Sequence, residues 1–351
     1  MEPVRVLIVD DSAFMRSVLT DILSSDPGVE VLGTAPDVSI ARRKIKELNP
    51  DVITLDVELP GMDGLSFLEK IMRLRPTPVV MISGHTQDDS EMAFRALEIG
   101  AIDVVGKASI NLDTSLAEKS DEILTKVKAA ASANVLGLRA PMASAPRFVQ
   151  ADRLSSNAVI AIGASAGGVE AMRHVVAALP AECPPILYTQ HMPREFLSRF
   201  SARLNQLAAL EVCEAEDKME ILPGHLYLAP GNAHLRLRRD RAGYRCDVGG
   251  DEPVSGHCPS VDVLFESVAD AAGADAVGAI LTGMGKDGAA GLLAMRSNGA
   301  FTLGQDEATS LIYGMPRVAY ELGAVELQVS LRDMAIEILK ACSRRTRPRA
   351  S

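Results

Sequence analysis

From residue 4 onward, short apolar runs alternate with amphipathic ones five times: VRVLIV then FMRSVLTDIL, VEVLGTA then SIARRKIKEL, DVITLD then GLSFLEKIMRL, PVVMIS then SEMAFRALEIG, and AIDVV then LAEKSDEILTKV. Strands buried on both faces read as continuous apolar runs, and a helix between each pair makes the neighbouring strands parallel. The pattern predicts a doubly wound α/β unit over residues 1–130. Residues 131–157, ASANVLGLRAPMASAPRFVQADRLSSN, have little periodicity and much Ala, Ser and Pro, and read as a linker. A second alternation starts at Ala158, with buried runs AVIAIG, ILYTQH, AVGAILTG and AFTLG, and a hairpin region expected through HLYLAP, HLRLRR and YRCDVG. The expected architecture is therefore two doubly wound parallel-sheet domains, the second Rossmann-like over 158–345. A length of 351 residues suits two cores better than one.

Composition narrows the function classes. No apolar stretch approaches the roughly 18–20 residues that cross a bilayer, and Met1-Glu2-Pro3 runs directly into a strand pattern, so neither membrane insertion nor a signal peptide is expected. The five cysteines are odd in number and lack C-x-x-C spacing, which favours a reducing cytoplasmic setting over a disulfide framework or a zinc site. A net charge of -10 opposes nucleic acid as the main ligand, and the basic run Arg344–Arg349 reads as a solvated terminus. A monomer is expected.

In the first unit Asp10 and Asp11 follow the first strand, Asp56 ends the third, Ser83 ends the fourth and Lys107 follows the fifth. The carboxyl ends of a doubly wound sheet converge on one crevice, so these side chains should meet there. Three carboxylates at one edge repel each other unless a divalent cation lies among them, and such hard oxygen ligands suit Mg²⁺. Any one acid there also reads as a helix N-cap, Asp11 or Ser12 being the candidates; five residues at four strand ends do not. The segments VLIVDDSAFMR, TLDVELPGMDGLSFL, MISG and GAIDVVGK resemble the receiver domains of two-component response regulators, which have a flavodoxin-like fold. The resemblance implies that Asp56 accepts a phosphoryl group from a histidine kinase and that Asp10, Asp11 and Asp56 hold Mg²⁺. It also implies that Ser83 donates a hydrogen bond to the phosphoryl group and that Lys107 is its cationic partner. Ala108 stands where receivers usually have proline, and Val104 where they usually have an aromatic. A non-proline cis peptide costs about 2.5–4 kcal/mol, so the Lys107–Ala108 bond is expected to be trans.

The second unit opens on AVIAIGASAGGVEAM, a strand, a small-residue turn and a helix. A dinucleotide fingerprint would need glycine where Ser165 stands and an acid ending the next strand, whereas Glu182 precedes that strand. The same residues satisfy Gly163-x-Ser165-x-Gly167, which lifts a serine hydroxyl at a sheet's carboxyl edge. His191 and Asp287 also fall just beyond buried runs, as a serine's base and the carboxylate that orients it would. Singly, His191 reads equally as a structural histidine and Asp287 as a cap of DGAAGLLAMR. His174, His225, His234 and His257 lack such positions. The segments IGASAGG, QHMPREFLSRFSARLN, VCEAEDKMEILPGHLYLAPGNAHL, HCPSVDVLFESVA, ILTGMGKDGAAGLLAMR and QDEATSLIYGMPRVA resemble the catalytic domain of chemotaxis protein-glutamate methylesterases.

That resemblance implies hydrolysis of glutamate γ-methyl esters on the cytosolic helices of chemoreceptors and, in some members, deamidation of receptor glutamines. Ser165 would be nucleophile, His191 base and then acid, Asp287 its orienter and the Met284 amide an oxyanion donor, with no cofactor in the esterase. It also implies that the resting receiver covers the esterase cleft and that phosphorylation releases it. Ala166 replaces a common threonine, removing any hydroxyl contact from that position. The rival reading is a response regulator with a noncatalytic protein-binding output. A DNA-binding output would need a basic helix, whereas VDVLFESVADAAG and DGAAGLLAMR are acidic or neutral.

Overall fold

The computed structural model describes residues 2–83, 87–106, 116–135, 157–192, 194–241 and 243–344. Lys107, the Lys107–Ala108 peptide and the linker from 136 to 156 lie outside them. The chain divides into two compact units, Met1–Arg139 and Ala140–Ser351.

In the first unit the elements are β1 (Val4–Val9), α1 (Ala13–Ser24), β2 (Val29–Ala35), α2 (Val38–Leu48), β3 (Val52–Asp56), α3 (Gly64–Leu74), β4 (Val79–Ser83), α4 (Gln87–Ile99), β5 (Asp103–Gly106) and α5 (Leu116–Ala131). The strands form a parallel sheet in the order β2-β1-β3-β4-β5. Its centre is largely apolar: Leu7, Ile8, Val52, Ile53, Leu55 and Met81 are fully buried, with Thr54 among them. The side chains of Ser12, Asp37 and Asp63 start α1, α2 and α3 by accepting from the amides of Met15, Ile40 and Ser66, so Ser12 and not Asp11 is the cap of α1. The chain reverses its direction of travel across the sheet between β1 and β3, which opens a crevice at their carboxyl ends.

The second unit runs β6 (Val159–Ala164), α6 (Gly168–Ala177), β7 (Ile186–Gln190), α7 (Arg194–Leu207), β8 (Glu211–Glu214), β9 (His225–Leu228), β10 (His234–Arg239), β11 (Tyr244–Gly249), α8 (Val261–Ala272), β12 (Ala276–Ile280), α9 (Ala289–Ser297), β13 (Phe301–Gln305), α10 (Met315–Glu321), β14 (Leu327–Val329) and α11 (Met334–Arg344). Seven strands pair in parallel in the order β14-β13-β12-β6-β7-β9-β8. Only β10 and β11 form the antiparallel hairpin. HLYLAP, expected within that hairpin, is instead β9, a strand of the main sheet. Leu226, Tyr227 and Leu228 are consecutively buried, as a strand covered on both faces requires, whereas HLRLRR alternates buried Leu235 and Leu237 with exposed or half-buried arginines. The hairpin packs on α8, and Ser267 Oγ of that helix accepts the Leu237 amide at 2.9 Å. Val159, Leu187, Leu264, Phe265, Ile280, Leu292 and Met315 share the core, each large side chain contributing about 1.5–3 kcal/mol on burial.

Candidate active site

The first unit gathers acids at its crevice. Asp10 and Asp56 are buried, Asp11 is exposed, and one carboxylate oxygen of each lies within 4.8 Å of the others. Asp10 Oδ1 accepts the Ser12 amide at 2.9 Å and Asp56 Oδ1 the Glu58 amide at 3.2 Å, which hold both carboxyls in place. An all-carboxylate set at this spacing fits a hard divalent cation such as Mg²⁺. Ser83 is the last residue of β4, one strand over from Asp56, and pairs with Gly106 on β5, the residue before Lys107. Val104, at the position of the missing aromatic, is buried. Its carbonyl accepts from Lys126 Nζ at 2.7 Å, and the same ammonium pairs with Asp103 at 3.1 Å and Glu122 at 3.0 Å. Burial works against that charge, but the two carboxylates outweigh it and raise the Lys126 pKa.

The second unit also reverses about its first strand, with β12 on one side of β6 and β7 on the other. Ser165 follows β6, His191 follows β7 and Asp287 lies beyond β12, so the three come from adjacent strand ends. The Ser165 amide donates to Thr282 O at 3.1 Å, and its carbonyl accepts from Gly168 N at 2.8 Å, closing a tight turn before α6. Gly167 sits at φ +78° in that turn, and a Cβ there would come within 2.7 Å of Leu311 Cβ. Only glycine meets both conditions. Ala166 has no hydroxyl, but its carbonyl is held by Thr282 Oγ1 at 3.0 Å, so the turn is anchored from across the sheet.

Gln190, fully in the sheet, draws the serine and histidine segments together. Its Nε2 donates to Ser165 O at 2.8 Å and to His191 O at 3.2 Å, while its Oε1 accepts from Tyr188 Oη at 2.5 Å. The His191 amide donates to Ala164 O at 3.1 Å. His191 Nε2 lies 2.8 Å from Asp287 Oδ2. Asp287 is buried and accepts three further hydrogen bonds, from Ser260 Oγ at 2.8 Å, Val261 N at 2.7 Å and Asp262 N at 2.9 Å. Burial raises its pKa, but the hydrogen bond and charge of His191, with the amides of Asp262 and Val261, outweigh burial and bring it down to about 2. Asp287 does not cap DGAAGLLAMR: Gly288, at φ +86°, is the N-cap of α9 and makes no side-chain bond. The carboxylate instead lies at the amino end of α8, where free amides and the helix dipole favour negative charge.

An ionised carboxylate can only accept, so Nε2 of neutral His191 carries the proton and Nδ1 carries the lone pair. This reverses the assignment of nitrogens in the serine-protease triad. Nδ1 is buried, makes no hydrogen bond among the described residues, and carries the lone pair with which a base would take the proton of Ser165 Oγ. No Ser165–His191 hydrogen bond is formed, a looseness common before substrate binds. Met284 is half-buried, and its amide has no partner among the described residues.

Four residues at this site had no signal in the sequence. Ser260 binds Asp287 and caps α8. Asp262 accepts Gly291 N at 2.8 Å and Ser255 Oγ at 2.8 Å; its pKa is raised, first by burial and then, against those two donors, by the charge of Asp287. His234, buried in β10, accepts the Ser260 amide on Nδ1 at 3.1 Å and donates from Nε2 to Glu252 O at 2.9 Å. His257 lies face to face with His191, ring centroids 3.7 Å apart and planes inclined by 14°.

A chain with these two sites is a response regulator whose output unit is built as an α/β ester hydrolase. A CheB methylesterase family model matches residues 160–338 and a response regulator receiver domain model residues 6–116. The chain is 54% identical, over 96% of its length and 97% of the relative, to protein-glutamate methylesterase/protein-glutamine glutaminase 1 of Xanthomonas campestris pv. campestris. It is 51% identical, over 97% of its length and 96% of the relative, to the protein-glutamate methylesterase/protein-glutamine glutaminase of Nitrosomonas europaea. Among solved structures, the CheB methylesterase catalytic domain of Thermotoga maritima superposes with a TM-score of 0.52 at 30% identity, covering 53% of this chain and 99% of that one. The chain belongs to the CheB methylesterase family.

Proposed function

We propose that this protein is a phosphorylation-activated protein-glutamate methylesterase that also deamidates protein glutamines, acting on chemoreceptors in the cytoplasm. Family membership supports the reaction class, and the observation that carries the residue roles is the buried, unpartnered Nδ1 of His191 opposite a fully ligated Asp287. Among the described residues no helix is long and apolar enough to cross a membrane.

In this reading Ser165 Oγ attacks the γ-ester carbonyl while His191 Nδ1 takes its proton. The oxyanion receives the Met284 N–H. Collapse of the tetrahedral intermediate expels methanol, which leaves with the proton from Nδ1, and Ser165 remains acylated. Water then attacks the acyl group, gives its proton to Nδ1, and the second collapse returns that proton to Ser165 Oγ and frees the glutamate. With a glutamine substrate the leaving group is ammonia. Asp287 stays ionised throughout, stabilising the imidazolium.

Asp56 is the phosphoryl acceptor in this reading, supplied by a histidine kinase, with Ser83 in the role of hydrogen-bond donor to the phosphoryl group and Lys107 in that of its cationic partner. Asp10, Asp11 and Asp56 would hold Mg²⁺, which when bound offsets charge during phosphoryl transfer. The test is methanol release from methylated receptor membranes, measured with and without a small phosphodonor and Mg²⁺. Release that rises with the phosphodonor supports the reading; absence of release under both conditions refutes it in favour of a noncatalytic output.

A further inference from the structure

The ring of His191 has one polar anchor among the described residues. A single hydrogen bond from Nε2 to Asp287 fixes that atom but leaves the ring free to tilt about the bond, and tilting swings Nδ1. The face of His257 lies against the ring, with centroids 3.7 Å apart. His257 is not placed there by a slack loop. Val254 and His257 exchange both backbone hydrogen bonds at 3.0 Å across Ser255 and Gly256, which have φ of +54° and +83°. This is a two-residue turn with both central residues left-handed, the geometry of a tight hairpin. Ser255 Oγ ties the turn to Asp262, and His234 ties the segment at Glu252 and Ser260. Asp262 and Ser260 in turn bind the carboxylate that holds His191. The same small network therefore holds the edge of the His191 ring and the partner lying on its face.

We propose that His257 is a positioning residue for ester hydrolysis: presented by the Val254–His257 turn, its ring fixes the tilt of His191 about the bond to Asp287 and keeps Nδ1 in the direction in which it serves as base. The proposal rests on the reading of His191 as the base. It requires a flat ring at 257, not a second titrating group. Misplacement of a reacting group by about 1 Å costs on the order of a hundredfold in rate.

The test compares His257→Ala with His257→Phe in the full-length protein, using methyl-ester hydrolysis together with ¹⁵N NMR of the His191 ring, and His191→Ala as control. For His257→Ala, kcat should fall roughly 10- to 100-fold while KM changes less than about threefold. Its His191 ring should stay protonated on Nε2, held by Asp287, with the Nδ1 resonance shifted or broadened by ring motion. His257→Phe should keep kcat within about fivefold of wild type, with Nε2 protonated as before. Wild-type kcat in His257→Ala overturns the proposal. So does a folded His257→Phe as slow as His257→Ala, because the polar atoms would then matter and not the stack. Retained activity in His191→Ala would instead refute the base assignment, an outcome distinguishable from either.

Discussion

His191 Nε2 and Asp287 Oδ2 meet at 2.8 Å across 96 residues of chain, and that contact decides which imidazole nitrogen is basic. A carboxylate that already accepts from Ser260, Val261 and Asp262 cannot take the proton from His191 as well. In the proposed mechanism the base is then Nδ1, and the charge that develops stays on the ring.

Ser165→Ala and His191→Ala should each lower methyl-ester hydrolysis by several orders of magnitude, because residues acting as one unit fail together. Methanol release from methylated membranes measures both. Turnover near wild type in Ser165→Ala would remove the serine from the mechanism.

Asp287→Asn should be nearly as severe, on the order of 10⁴ in kcat, with little change in KM. An asparagine amide can donate to Nε2, which moves the ring proton to Nδ1 and abolishes the base. The same substitution tests a stability effect. The Asp287 pKa, about 2 in the folded protein, lies below its ordinary value of 3.8. Its contribution is therefore complete above about pH 4 and is lost as pH falls toward 2, amounting to about 2 kcal/mol. Acid titration of unfolding should show this component in wild type and not in Asp287→Asn.

Asp262 should behave with the opposite sign. Its pKa is raised, chiefly by burial and then by Asp287, so its contribution is favourable below the ordinary carboxylate range and fades as pH rises through the shifted value. Asp262→Asn keeps an acceptor for Gly291 and removes the repulsion. Urea unfolding at several pH values should show the variant gaining on wild type as pH rises above the ordinary carboxylate range; a constant difference would contradict the assignment.

Asp56→Asn should abolish the response of methanol release to phosphodonor while leaving the unstimulated rate in place. Intact-mass measurement should find the phosphorylated form in wild type with Mg²⁺ and lose it on chelation. A phosphorylated Asp56→Asn protein would move the acceptor elsewhere.

Much of this was legible in the sequence because parallel sheets put every βα loop at one edge. Buried runs locate strand ends, and Asp10, Asp56, Ser165, His191 and Asp287 all lie at or just past such ends. HLYLAP failed because a short apolar run before a hairpin carries the same local pattern as its third strand; the continuous burial of Leu226, Tyr227 and Leu228 is set by neighbours, not by the run itself. Strand β14, three residues long, is too short for periodicity to register. His234, His257, Ser260 and Asp262 escaped because their roles come from the approach of the 250–259 segment and α8 to Asp287, a tertiary event. Nor could spacing reveal which nitrogen of His191 faces the carboxylate.

The position of β12 beside β6 also has a consequence for synthesis. Ser165 and His191 leave the ribosome together with paired strands β6 and β7, but the opposite neighbour of β6 and the carboxylate beyond it arrive about a hundred residues later. Until then β6 has an open edge, Ser165 N lacks Thr282 O, and His191 has nothing to set its proton. In the proposed mechanism, a chain that stops before Asp287 would therefore carry the serine and the histidine without the carboxylate that sets the base.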